Sequence, residues 1–190
     1  MNTLVFLLLI IVALVMVLLI IGLFSQRGYS IKRNIVIRQK KEVVFDYIKL
    51  LKNQDHYNKW VMMDPAMQKV FTGTDGKPGF VYAWDGNNKA GAGEQEIMTV
   101  TEGKGIVTEV RFKRPFNGIA YSTISCEAIE LGQTKLIWEF NTEMKYPANI
   151  MLLFIKFDKI LGKDIELSLQ NLNGILRDQS SHHWDMLKVI

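Results

Sequence analysis

Residues 4–24 form an unbroken apolar run without a single charged side chain, and nothing else in the sequence constrains the chain as much. A bilayer's hydrocarbon core, about 30 Å thick, takes roughly 20 residues of α-helix at about 1.5 Å each, so the run is sized to cross once. The competing reading is a cleavable signal peptide, which would show a basic start, an apolar stretch of about 7–15 residues and a small-x-small cleavage site. Here Met1, Asn2 and Thr3 carry no side-chain charge, the run is too long, and Ser25-Gln26-Arg27 follows it. A retained single-pass membrane helix is therefore expected.

The mean hydropathy of +0.08 conceals this division. Beyond the run remain about 160 residues of ordinary soluble character, enough for one domain with a sizeable core and too few for two. Plentiful aromatics, four prolines and a single cysteine, Cys126, exclude a disordered chain, a collagen-like repeat and a disulfide scaffold. A polytopic channel is excluded because no second run approaches the required length. The expected division is an anchor over 1–28, a folded domain over 29–178 and a C-terminal tail over 179–190.

Charge suggests orientation. Arg27, Lys32, Arg33, Arg38, Lys40 and Lys41 precede the first acid, Glu42, whereas the other flank carries only the α-amino group. Lys and Arg near a span favour the cytoplasmic side, which predicts a cytosol-facing domain. Those six are part of 23 bases against 19 acids, so the remaining chain carries two more acids than bases although the net charge is +4. The basicity thus reads as a juxtamembrane collar suited to anionic headgroups rather than to nucleic acid.

Hydrophobic period organises the rest. Residues 29–38 alternate as a strand, with Ile31, Ile35 and Ile37 on one face. Over 41–51 the period changes, and Val43, Val44, Tyr47, Ile48 and Leu51 share a helical face. A short helix or turn follows over 53–60, and Asp64-Pro65 breaks any helix. Strands are then expected over 68–74, 79–86, 93–101, 105–114, 119–130 and 133–144, separated by Asp75-Gly76, Gly86-Asn87-Asn88, Glu102-Gly103 and Leu131-Gly132 turns. Ile106, Val110 and Phe112 oppose Glu109, Arg111 and Lys113, and Leu136, Trp138 and Phe140 oppose Lys135, Glu139 and Asn141, so the sheet has one apolar and one wet face. From 148 to 176, Ile150, Leu153, Phe154, Phe157, Ile160, Leu161, Ile165, Leu169, Leu172 and Leu176 recur at three and four, predicting one amphipathic helix roughly 42 Å long. Strand, short helices, about six strands and a long helix make an α+β domain with an antiparallel sheet covered by its C-terminal helix.

This order resembles the helix-grip fold of the START-like, or SRPBCC, superfamily, which includes Bet v 1-type proteins. More closely it is similar to the bacterial polyketide cyclase/dehydrase and lipid-transport group, many members of which carry an N-terminal membrane helix. The residues that carry the likeness are Val44-Phe45 with Ile48, Trp60 with Asp64-Pro65, Tyr82-x-Trp84 before Gly86-Asn87, Gly91-Ala92-Gly93, Phe112-x-x-Pro115-Phe116, Thr134 with Trp138, and Lys156-Phe157-Asp158-Lys159-x-x-Gly162-Lys163-Asp164. The likeness spans about residues 30–176. It departs at Trp60-Val61-Met62-Met63, where relatives usually read Trp-Ser-Pro, so the pocket mouth does not carry over. The resemblance implies an apolar cavity between sheet and helix and a tendency to bind lipids or other hydrophobic small molecules; separately, no cofactor is expected. It does not fix a reaction, because the superfamily contains binders, transfer proteins, cyclases and cochaperones.

Tyr82, Trp84, Phe112, Trp138 and Phe140 on strands, with Phe154 and Phe157 on the covering helix, are the candidate lining; as plain core packing they would need no ligand. Glu94 and Glu96, with Glu109 and Arg111 on the neighbouring strand, could fix a ligand's polar head or act in acid–base catalysis if turned inward. Turned outward they are cross-strand ion pairs. His56 sits in a polar turn, His182-His183 lie in the tail, and no CxxC or HxxxH spacing supports a metal site. Cys126, between Ile124 and Ala128, fits a buried inert thiol, and the glycines at 86–93 lack the Lys-Ser/Thr of a phosphate loop. Three readings stay open: a membrane-anchored binder of an apolar ligand, a cyclase or dehydrase with inward acid–base groups, and an interaction module whose cavity is filled by its own side chains. The oligomeric state has no sequence signal.

Overall fold

The computed structural model describes residues 2–187, with side chains as far as Arg177. Helix α1 (Thr3–Phe24) is long and apolar enough to cross a membrane, and Gly22 is its only buried residue. Three residues later the chain enters β1 (Gly28–Ile37), followed by α2 (Lys41–Ile48), a 3₁₀ turn (Leu51–Asn53), α3 (Gln54–Tyr57) and a second 3₁₀ turn (Val61–Met63). Then come β2 (Gln68–Thr72), β3 (Val81–Asp85), β4 (Ala92–Thr101), β5 (Gly105–Arg114), β6 (Gly118–Glu130) and β7 (Gln133–Glu143). A third 3₁₀ turn (Ala148–Ile150), α4 (Met151–Phe154) and α5 (Phe157–Leu187) complete the described chain.

The strands form one seven-stranded antiparallel sheet in the order β1-β7-β6-β5-β4-β3-β2. Only β1 departs from sequence order, closing the sheet beside the last strand. Register shifts in β4 and β6 bend the ladder, as bulges do, and help make one face concave. That face carries Ile31, Ile97, Ile106, Ile124, Leu136 and Trp138, each 2% exposed or less. Across it lies α5, burying Ile165, Leu169, Leu172 and Leu176. Each such Ile or Leu taken from water adds about 1.5–3 kcal/mol, so this stripe is the main force holding helix to sheet. In α2 the buried face is Val44, Phe45 and Ile48; Val43, expected to face inward, is exposed, and Phe45 takes its place.

The single helix expected from 148 is two helices. At Ile155 the backbone is extended (φ −105°, ψ 119°), separating α4 from α5. The cause is tertiary. Asn149, fully buried, donates from Nδ2 to Gly22 O at 2.7 Å and holds the preceding turn against the end of α1. Ile150, Leu153 and Phe154 therefore leave the face that continues along α5, although their spacing fits it.

The basic collar is also redistributed. Arg33 is bound by Asp158 and Glu166 of α5, at 3.0 and 2.6 Å, and Lys32 lies 3.4 Å from Glu139. Arg38, Lys40 and Lys41 follow the far end of β1, roughly 30 Å along a strand from the α1 junction. Only Arg27 of the six is left beside α1. The segment read as a separate tail, 179–190, has no described side chains; the backbone of α5 runs on to Leu187, and 188–190 lie outside the described residues.

Candidate functional site: an aromatic cavity at the α1 end of the sheet

A cavity of about 330 Å³ opens at the end of the sheet where α1 joins, within the range of about 300–1,000 Å³ usual for ligand pockets. Register defines this end: Gly28 pairs with Glu143, Phe112 with Gly118, Ala92 with Arg114, and Asp85 with Gln68. The β3–β4 and β5–β6 loops therefore share an edge with the start of β1. Strand alternation turns Tyr82, Trp84, Val110, Phe112, Ser122, Trp138 and Phe140 onto the concave face, where all line the cavity. Trp60, Val61 and Met67, from the irregular stretch after α3, form the opposite wall, and α5 contributes Leu161. The mouth holds Tyr29, Lys89, Ala90, Arg114 and Pro115.

Trp60 is the keystone of that wall. Its ring stands edge-on to Trp138, with centroids 6.2 Å apart, and is tilted against Phe140 at 6.0 Å. Its Nε1–H donates to Asp164 Oδ2 on α5 at 3.1 Å, and the Lys59 N–H donates to Ser168 Oγ at 2.9 Å. The loop is thereby pinned to the helix by polar groups while its indole faces the apolar space.

The interior polar groups are neutral and mostly satisfied. Trp138 Nε1–H donates to Ser122 Oγ at 2.9 Å, and Gln95 Nε2 to Thr108 Oγ1 at 2.8 Å. The Tyr82 hydroxyl donates to Asp55 Oδ1 at 2.7 Å, and Asp55 in turn pairs with Lys69 at 2.8 Å. Burial, then the Asp55 contact, pushes the Tyr82 phenol far above its ordinary pKa and keeps it protonated. Burial raises Tyr29 to about 12. Asn58 accepts from the Trp60 N–H and donates to Gln54 Oε1, and Gln54 Nε2 has no partner among the described residues.

Of the candidate lining residues, Tyr82, Trp84, Phe112, Trp138 and Phe140 are brought together. Phe154 and Phe157 are not. Phe154 is 69% exposed on α4, carried off by the break at Ile155. Phe157 stacks on Tyr29, centroids 5.0 Å apart and planes at 4°, and so supports the mouth from behind. Glu94 and Glu96 lie on the opposite face of the sheet. With Glu109 they surround Arg111, each 2.7 Å from a different guanidinium nitrogen, and Lys113 adds a contact to Glu94 at 3.1 Å. Arg111, then Lys113, hold Glu94 below the ordinary carboxylate range; Arg111, then the Tyr121 hydroxyl, do the same for Glu109. They are out-turned ion pairs, because Gln95 and Ile97 take the inward positions of β4. Cys126 is buried, and desolvation raises its thiol pKa, which suits an inert thiol. Among the described residues no three His, Cys, Asp or Glu side chains converge as a metal site.

Sequence reasoning missed Gln54, Asn58, Met67, Lys89 and Leu161 as lining. Trp60 stood out only within the family likeness. Asn58, Trp60, Met67 and Lys89 come from irregular segments and Gln54 from a single helical turn, where no period reports the facing direction, while the period of α5 marks Leu161 as inward without saying that it meets a cavity.

The fold these elements make is the helix-grip fold of Bet v 1-like proteins: a curved seven-stranded antiparallel sheet gripping a long C-terminal helix. Solved structures show the same arrangement at low sequence identity. Ara h 8.0201 superposes with a TM-score of 0.58 at 12% identity, covering 80% of this chain and 99% of its own. A protein from Nitrosospira multiformis gives 0.57 at 14% identity, covering 80% and 99%. Major latex-like protein 151 from Panax ginseng gives 0.51 at 12%, covering 78% and 97%. No protein-family model matches the chain, and no curated protein matches it.

Proposed function

We propose that this chain is a single-pass membrane protein whose helix-grip domain binds a hydrophobic small molecule or lipid in the aromatic cavity. The observation that carries the reading is the cavity itself: about 330 Å³ walled by Trp60, Trp84, Phe112, Trp138 and Phe140. A well-packed interior leaves few voids larger than a water molecule. A space this size with tryptophan walls costs stability while empty and gains it when an apolar ligand restores the missing contacts.

The position of the cavity supports a membrane-derived ligand. Its mouth lies at the end of the sheet that continues into α1, so an anchored domain holds the opening near the bilayer surface. The basic residues after the run favour the cytosolic side. An acid–base role for Glu94, Glu96, Glu109 or Arg111 draws no support from their placement, since they pair with one another on the face away from the cavity.

Native mass spectrometry of the full chain, released from detergent micelles, tests the binding. A discrete apolar adduct at one per chain is expected, lost in Val110→Trp, where the larger ring occupies the space. An adduct-free chain, or the same adducts in Val110→Trp, would count against it.

A further inference from the structure

Two groups of residues that the sequence scatters meet at the α1 end of the domain. The first is apolar. Asn149 ties its turn to α1 through Gly22 O at 2.7 Å and to the link after it through Gln26 O at 3.5 Å. Ile150 fills the notch at Gly22, where an added Cβ would fall 2.5 Å from Ile150 Cγ1. The Ala148–Phe154 stretch is therefore fastened to the last turns of α1, and it presents Met151, Leu153 and Phe154 to solvent at 36%, 47% and 69% exposure. From the β5–β6 loop, on the same edge, comes Phe116 at 73%.

The second group is basic. Arg27, Lys89, Lys145, Lys156 and Lys159 lie at the junction, in loops of this edge, or at the start of α5; all are exposed. Among the described residues none of them pairs with a carboxylate, whereas Arg33, Lys32, Lys69, Arg111 and Arg114 do. Single exposed apolar side chains are ordinary on a soluble surface. Aromatic and aliphatic side chains mixed with free lysines beside a membrane-length helix are the composition of a bilayer interface.

We infer that this end of the domain is a docking surface for an anionic leaflet: Phe116, Leu153 and Phe154 insert at headgroup depth and the free lysines lie on lipid phosphates and carboxylates. The inference rests on the reading of α1 as a span, since a crossing helix carries the Asn149 turn to the headgroups with its last turn. Docking also sets the cavity mouth, flanked by Lys89 and Arg114, directly on lipid. A ligand then passes between leaflet and cavity without crossing bulk water.

The test uses the full chain in nanodiscs, with one environment-sensitive fluorophore on a single introduced cysteine in a Cys126→Ser background. Labels at Leu153→Cys, Phe154→Cys and Phe116→Cys are compared with Leu14→Cys inside the apolar run and Leu131→Cys in the β6–β7 turn at the opposite end. Nitroxide lipids serve as quenchers. Docking predicts several-fold stronger quenching by shallow nitroxides at 116, 153 and 154 than at 131, strongest with phosphatidylserine present and reduced by salt. It predicts quenching by deep nitroxides at 14. Quenching at 14 with 116, 153 and 154 as water-exposed as 131 would overturn docking and leave the span intact. No quenching at 14 would overturn the span reading and docking with it. Labels shielded from water but untouched by nitroxide lipids would mean a protein partner covers this end, which also overturns the inference. Equal quenching without phosphatidylserine would overturn its anionic part.

Discussion

Trp60 meets Trp138 edge to face, with ring centroids 6.2 Å apart and planes at 84°, across a cavity that both indoles line. One ring comes from an irregular loop and the other from β7, so the cavity exists because the loop is held off the sheet. What holds it is α5, through Asp164 and Ser168.

Substituting Trp60 separates these roles. Trp60→Phe keeps an aromatic wall and loses the bond to Asp164, a cost of about 1 kcal/mol in stability. Trp60→Ala removes the wall, costs about 3–5 kcal/mol, and lowers affinity for an apolar ligand more than Trp60→Phe does. Thermal unfolding of the full chain in detergent, with and without ligand, reads both effects.

The close approach of Arg33 to Gly162 makes a second prediction. A Cβ at Gly162 would collide with the Arg33 guanidinium, which is held by Asp158 and Glu166. Gly162→Ala should destabilise by about 1–3 kcal/mol, as overpacking does. In an Arg33→Ala background the same change should cost clearly less, since the colliding group is gone; additive costs in that double-mutant cycle would refute the packing account.

Acid should weaken the ion pairs on the sheet's outer face and those that join α5 to β1. Glu94, Glu109 and Asp158 titrate below their ordinary values in the folded chain because of Arg111 and Arg33. A depressed carboxylate stabilises the fold above its unfolded pKa, and that contribution is lost as pH falls through the folded value. The thermal midpoint should therefore drop below about pH 4. Arg111→Gln leaves Glu94, Glu96 and Glu109 to repel one another, so its deficit against the unsubstituted chain should be largest near neutral pH and shrink as pH falls. A deficit that grew with acid would reverse the assigned sign.

Topology offers a fourth check. Alkaline carbonate should leave the chain in the membrane fraction, and a reporter fused after Ile190 should be active only in its cytosolic form. Release by carbonate would contradict the span, and an exported reporter would contradict the orientation.

The parts of this architecture legible in the sequence are those where a period maps directly onto a face. Alternation in 105–114 and 133–144 is enough to put Val110, Phe112, Trp138 and Phe140 on the inner face, where the structure has them. The same alternation, applied to Gln95 and Ile97, also turns Glu94 and Glu96 outward. Phe154 illustrates the limit: its spacing fits α5, but a buried Asn149 bonded to Gly22, 127 residues earlier in the chain, decides where the helix breaks. The basic collar is spread out for a related reason, since neighbours in sequence along an extended strand end up about 30 Å apart.

The central claim is that an apolar molecule occupies the cavity, and three of the chain's four tryptophans stand in its wall. The most direct measurement is tryptophan emission from the full chain in nanodiscs titrated with a brominated long-chain probe, since bromine quenches only at contact. The account predicts quenching that saturates at one probe per chain and removes most of the emission. Quenching that stays small, or rises in proportion to the probe's mole fraction in the bilayer without saturating, would contradict it.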